Sequence, residues 1–284
     1  MSQITLKYPL SVTMAAGIDN LNRLRLSTES SLADDIESSS AFSQVLISAH
    51  APVKLGDQRL NYASTDEEFR RQSIENVKRF VHQARRYPRV KKVNLHFPPK
   101  RWDDGVQTHG RIGDYGLMVD AIREIAGFAK RYGIEVVLEN NNVYWDGVPE
   151  DLCLDRVDWG ERNFYFGASP EEWVQVCEEV DRSNVGLCLD SSHTVTYAHM
   201  FPEDRREDRV MAFVARPDLI RHVHWNDNYL YDLRGRVDSH ALLGKGTLPV
   251  ALHRCIKGLD ATLLLEHFYS TEDLEEELQF IKNL

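Results

Sequence analysis

The chain has 284 residues, 42% hydrophobic and 27% charged, which is ample material for a folded core and rules out wholesale disorder. With 34 Lys and Arg against 44 Asp and Glu the formal charge is −10, which argues against a histone-like coat mode of nucleic-acid binding but leaves room for a local basic groove. The four cysteines form no CxxC pair, the start MSQITLKYPL lacks the basic and apolar regions of a signal peptide, and no apolar run approaches a membrane span. A soluble cytoplasmic protein with reduced thiols and no membrane partner is expected.

Short apolar runs alternate with amphipathic stretches. Candidate strands fall at residues 10–13, 44–49, 92–95, 135–138, 185–189, 220–223 and 262–265, each about the length of a strand buried on both faces. Helical patterns lie between them. Residues 66–87 place Phe69, Ile74, Val77, Phe80, Val81 and Ala84 on one face, and 114–132 end at Gly133 as a stop signal. Further helices are read at 170–180, 202–214, 249–256 and 271–284. This alternation implies parallel strands with right-handed crossovers, and no glycine-rich phosphate turn follows the first strand. The expected fold is therefore α/β, a single (β/α)8 TIM barrel over residues 1–284, and the length suits it. Seven strands are legible; an eighth is placed at 21–26, in a second β/α unit that could be degenerate.

In such a barrel, chemistry comes from the carboxyl ends of several strands. Here QVLISAH ends at His50, VNLH at His96, IEVVLE at Glu139, VGLCLD at Asp190 with His193 one turn on, IRHVH at His224, and TLLLE at Glu266. Any one of these alone reads as a hydrogen-bonded structural group. Six in succession do not, because a buried ring of ionisable groups is costly unless a cation compensates it. Imidazoles mixed with carboxylates and no thiolates suit zinc, manganese or iron, and more than four donors imply two or three ions. Clustered ions can activate a water for displacement at phosphorus, with Glu139 and Glu266 bridging ions or steering the water.

A further segment, HWNDNYLYDLRGRVDSHALLGKG, adds Asp238 and His240 and then Gly244 and Gly246. Together with CLDSSH it resembles endonuclease IV, the abasic-site DNA repair nuclease of the xylose-isomerase-like barrel superfamily. The resemblance runs from about residue 44 to 268 and places the family's metal ligands, in order, on His50, His96, Glu139, Asp190, His193, His224, Asp238, His240 and Glu266. It implies three zinc ions and phosphodiester cleavage, with abasic-site DNA as the leading substrate. The departures lie in the DNA-binding parts. Val53 and Lys54 stand where the family has an aromatic wedge, residues 20–43 are short and acidic at their end, and Tyr229 replaces a lysine.

The loop 140–167 carries Tyr144, Trp145, Trp159, Phe164, Tyr165 and Phe166, and with Trp102 and Trp225 it could wall the site or simply form a packed lid. Lys100, Arg101, Lys245, Arg234 and Arg236 fall in loops on the catalytic side and are candidates for binding an anionic or sugar-containing substrate. His222 points the same way as His224 and reads as a supporting group, His267 should face outwards, and Asp227 could orient a ligand. The rival readings are a one-ion sugar isomerase or epimerase, using Glu139, Asp190, His224 and Glu266 on a ketose, a multi-iron redox enzyme on a peptide or small molecule, and a metal-binding protein without turnover.

Overall fold

The computed structural model describes residues 4–7, 18–32, 42–100, 113–150, 165–267 and 269–284. Eight parallel strands close into a barrel: β1 (Ile4–Lys7), β2 (Ser27–Ser30), β3 (Leu46–His50), β6 (Lys92–His96), β7 (Glu135–Glu139), β8 (Val185–Asp190), β9 (Ile220–Trp225) and β10 (Thr262–Leu265). They follow chain order around the wall, and closure comes from β1 pairing with both β2 and β10, Thr5 lying opposite Ser27 and Leu264. A small antiparallel hairpin, β4 (Lys54–Leu55) with β5 (Gln58–Arg59), follows β3 and turns at Gly56, whose φ of +60° suits a residue without Cβ. The TIM barrel expected from the sequence is the observed fold.

Two strand assignments differ. The segment 10–13 lies outside the described residues, and the first strand is Ile4–Lys7 instead. Residues 21–26 are not a strand: they hold the end of helix α1 (Ile18–Arg23) and a turn in which Arg25 has φ +57°. The second strand is the polar STES, buried throughout because Glu29 points into the barrel and is met there by histidines. Between β2 and β3 the described residues hold a short 3-10 turn, Phe42–Gln44, where other units have an α-helix.

The remaining helices are α2 (Glu67–Ala84), α3 (Tyr115–Lys130), α4 (Pro170–Val180), α5 (Ser191–Ala198), α6 (Glu203–Met211), α7 (Val250–Gly258) and α8 (Thr271–Asn283). Asp66, Asp114, Ser169 and Ser270 cap four of them by accepting a backbone N–H of the first turn. One contiguous core joins strand residues such as Leu46, Val136, Leu187 and Leu265 to Val77, Ile125, Trp173 and Leu252 on the helices. Helix α5 has no counterpart in the sequence reading. It starts directly at the end of β8, with Asp190 as its N-cap: Oδ1 accepts the His193 N–H at 2.9 Å. The same contact fixes the spacing between Asp190 and His193. No helix among the described residues is long and apolar enough to cross a membrane.

Candidate metal centre

Parallel register sets the strand ends level: His96 lies opposite Glu139, and Asp190 opposite His224. Four donor sets converge there among the described residues, one of them Cys188 with His222 and His224 and the other three built from the strand-end carboxylates and imidazoles. His50, His96 and Glu139 form one, Glu139, Asp190, His224 and Glu266 a second, and Asp190, His193 and His240 a third; within each set the donor atoms lie within 4.8 Å of one another. Asp238 joins the third, with Oδ2 at 3.1 Å from His193 Nε2 and 2.9 Å from His240 Nε2. His96 Nε2 lies 3.0 Å and His50 Nε2 3.5 Å from Glu139 Oε2. His224 Nδ1 lies 3.1 Å from both Glu139 Oε1 and Glu266 Oε2, and 3.9 Å from Asp190 Oδ2. All nine residues singled out from the sequence meet in one place.

Three of the imidazoles are oriented by backbone carbonyls. His50 Nδ1 faces the Ala51 carbonyl (2.8 Å), His193 Nδ1 the Asn140 carbonyl (2.7 Å) and His240 Nδ1 the Glu266 carbonyl (3.1 Å), and each N–H donated there leaves Nε2 directed at the carboxylates. His240 takes a left-handed φ of +40°, a costly conformation for a non-glycine residue that these contacts sustain. The Asn94 amide donates to Glu139. Four carboxylates packed against five imidazoles, with Asp238 Oδ1 buried and without a hydrogen-bond partner, make a donor set that fits divalent cations of the zinc, manganese or iron type.

The electrostatics point the same way. Burial pushes Asp190 up to about 8, helped by the charges of Glu266 and Asp238 and opposed by His193. Burial lowers His240, but Glu266, Asp238 and Asp190 outweigh it and raise the imidazole to about 10. His193 is likewise raised despite burial, by Asp190 and Asp238. Burial raises Asp238 too, yet the two protonated imidazoles beside it hold it well below the carboxylate range. Without cations, Asp190, His193 and His240 are biased toward their protonated forms.

Further residues complete the surroundings. Glu29, missed in the sequence, faces His222 and His224 from across the barrel interior; burial pushes its carboxyl up, but the two imidazoles hold it well below its ordinary value. His267 does not face outwards. It is buried, donates to Asn226 Oδ1 at 2.9 Å and lies 2.5 Å from Glu277, while the Asn226 amide reaches Asp190 and Glu266 at 3.4 Å. Asp227 accepts the N–H groups of Asn228, Leu248 and Gly244, so it clamps the turn after His240 rather than a ligand.

A cavity of about 310 Å³ opens beside the centre, lined by His50, His96, His193, Asp238 and Glu266 together with Tyr62, Tyr144 and Tyr165. Arg59, from the hairpin, is the only lysine or arginine among its described lining residues, and its guanidinium donates to the Tyr144 hydroxyl at 3.4 Å. The expected substrate-binding side chains are mostly placed elsewhere. Trp225 is buried and donates to His253 of α7; Trp145 donates to the Thr196 carbonyl and is covered by Arg236 at 4.3 Å. Lys100 pairs with Glu172 at 2.8 Å and Lys245 with Glu276 at 3.1 Å. Arg234 lies over the Tyr229 ring and pairs with Asp232. Arg101, Trp102, Trp159 and Phe164 lie outside the described residues.

Comparison with known proteins is consistent with this barrel. Residues 18–284 match a family described as xylose isomerase-like TIM barrel. The uncharacterized protein MJ1311 of Methanocaldococcus jannaschii is 26% identical over 206 residues, a match that spans 72% of this chain and 57% of that protein. Among solved structures, a D-tagatose 3-epimerase-like protein aligns over 100% of this chain and 99% of its own at 20% identity and a TM-score of 0.64. The 3-keto-D-glucoside 4-epimerase YcjR from E. coli aligns over 100% of both chains at 14% identity and a TM-score of 0.66. D-psicose 3-epimerase from Clostridium cellulolyticum H10 covers 100% of this chain and 99% of its own at 15% identity and a TM-score of 0.65. Two of these neighbours are epimerases and one is epimerase-like, rather than endonuclease IV, and at such identities they establish the fold alone.

Proposed function

Because this chain belongs to the xylose isomerase-like TIM barrel family, we propose that it is a divalent-metal-dependent isomerase or epimerase of a small, hydroxyl-rich, sugar-like substrate. The observation that carries the reading is the Glu139, Asp190, His224 and Glu266 set beside a cavity of about 310 Å³, a size that suits a monosaccharide and not a duplex. The full-length likeness to sugar epimerases supports it.

Sugar isomerisation and epimerisation move a proton to and from a carbon next to a carbonyl. An ion held by these four residues would supply Lewis acidity toward the substrate's oxygens. Glu266, which lines the cavity, would take up the proton, with Glu139 beside it, each 3.1 Å from the same His224 nitrogen. The tyrosines of the lining would offer ring faces to the sugar's carbon side, and Arg59 would offer a cation to an acidic substituent such as a phosphate or carboxylate.

A second reading, metal-assisted phosphoester hydrolysis as in endonuclease IV, is favoured by one observation: the two additional donor sets around His50 and His96 and around His193, Asp238 and His240, which a one-ion isomerase does not need. Lys100, Lys245 and Arg236, candidates for holding an anionic substrate, are engaged elsewhere, which leaves the abasic-site duplex the weaker part of that reading.

The test is incubation of metal-replete protein in D2O with a panel of ketoses and ketose phosphates, followed by NMR, alongside an abasic-site duplex and a simple phosphodiester. Deuterium entering the sugar carbon next to the carbonyl is expected. Phosphodiester cleavage with no exchange would replace this reading by the second, and neither activity would overturn both.

A further inference from the structure

Among the charged groups outside the nine donors, Glu29 occupies the most protected place. It is fully buried on β2, inside the barrel, and each carboxylate oxygen meets a different imidazole of β9: Oε2 lies 3.0 Å from His222 Nε2 and Oε1 3.3 Å from His224 Nε2. His222 is steadied from behind by the Thr262 hydroxyl, 2.5 Å from its Nδ1. His224 is the shared element, because its other nitrogen, Nδ1, faces Glu139 and Glu266 at 3.1 Å.

That geometry poses a choice of proton position. A neutral imidazole carries one N–H. On Nδ1 it would be accepted by two carboxylates, and the lone pair a cation needs would be lost. On Nε2 it leaves the Nδ1 lone pair aimed at Glu139, Asp190 and Glu266. A carboxylate behind Nε2 is what tips the choice. We propose that Glu29 is a positioning residue of the metal centre, accepting the His224 Nε2–H and so fixing the tautomer and ring orientation that present Nδ1 as a ligand. The inference rests on the proposed metal centre, not on the reaction assigned to it. A glutamine at 29 has one carbonyl oxygen and can accept from only one of the two imidazoles; its NH2 must face the other Nε2.

The experiment measures ion affinity. Wild type, Glu29→Gln and Glu29→Leu, all stripped of metal, are titrated with Co2+ against a chelator of known affinity, with the visible absorption of the bound ion and the thermal midpoint recorded for each. Affinity at the tightest site is expected to fall on the order of 10- to 100-fold in Glu29→Gln, with a changed Co2+ spectrum. Equal affinity and an unchanged spectrum, whatever the thermal midpoint, would reduce Glu29 to a core ion pair and overturn the inference. Glu29→Gln carries the test if Glu29→Leu fails to fold. Failure of the wild type to bind Co2+ would instead remove the metal centre itself.

Discussion

Loading the centre with cations should expel protons, and their number separates the two functional readings. In the ion-free protein Asp190 is pushed up to about 8, so about 90% of it is protonated at pH 7. His240, raised to about 10, is almost wholly protonated there, and His193 is raised as well. A carboxylate must be ionised, and an imidazole neutral, to ligate. Filling the Glu139, Asp190, His224 and Glu266 set therefore releases about one proton at pH 7, from Asp190, and filling the His193, Asp238 and His240 set about one more from His240, to which the raised His193 adds. The sign follows: affinity rises with pH, up to about tenfold per unit per proton, while the displaced group remains protonated in the free protein. Calorimetric titration of stripped protein with Zn2+, repeated in buffers of different ionisation enthalpy, counts the protons at each equivalent. A release of about one proton that stops after one equivalent fits a one-ion isomerase, and about two or more over two or three equivalents fits the multi-ion centre. Binding without proton release would refute the electrostatic description.

Three further outcomes follow. Arg59→Ala should weaken binding of an anionic ligand such as a ketose phosphate by about 10- to 100-fold, the loss of a charge-assisted hydrogen bond, and leave a neutral ketose unaffected; equal losses for both would show that Arg59 does not read charge. Burial, with the Arg206 charge, depresses His199 to about 4. The unfolded chain then binds more protons between its own value near 6.5 and about 4, so stability falls with acidification across that window, by about 2 kcal/mol between pH 7 and 5. His199→Gln should flatten that part of the pH dependence in urea unfolding, and an unchanged slope would contradict it. An alanine at Gly246 would bring its Cβ to 2.3 Å from Asp227 Oδ1 and 2.5 Å from the Asn228 carbonyl oxygen. Gly246→Ala should therefore cost about 1–3 kcal/mol in urea unfolding and loosen the turn behind Asp238 and His240; unaltered stability would show that the clamp yields freely.

The later strands were legible because their side chains are apolar in continuous runs and each run stops at an ionisable residue: VNLH, EVVLE and VGLCLD declare both strand and donor. The same logic hid β2, since STES lines the interior with polar groups whose partners, His222 and His224, stand almost 200 residues away. A signal existed all the same. Two histidines spaced i and i+2 on one strand point the same way, and a buried pair calls for an acid opposite. Helix α5 escaped notice because SSHTVTYA is buried on every side and shows no amphipathic period. The substrate wall was the least legible part. Whether Lys100 reaches the cavity or Glu172, and whether Trp225 faces the site or His253, depends on contacts between segments distant in the chain. Arg59 was hidden in a hairpin whose strands have two residues each.

The most direct test of the metal centre is a crystal of metal-replete protein measured on both sides of the bound element's absorption edge. The expected anomalous peak lies among the carboxylates of Glu139, Asp190 and Glu266 and Nδ1 of His224, with further peaks at the flanking donor sets if the centre is multinuclear. A map with no peak at the barrel's carboxyl end, or with peaks confined to the protein surface, would contradict it.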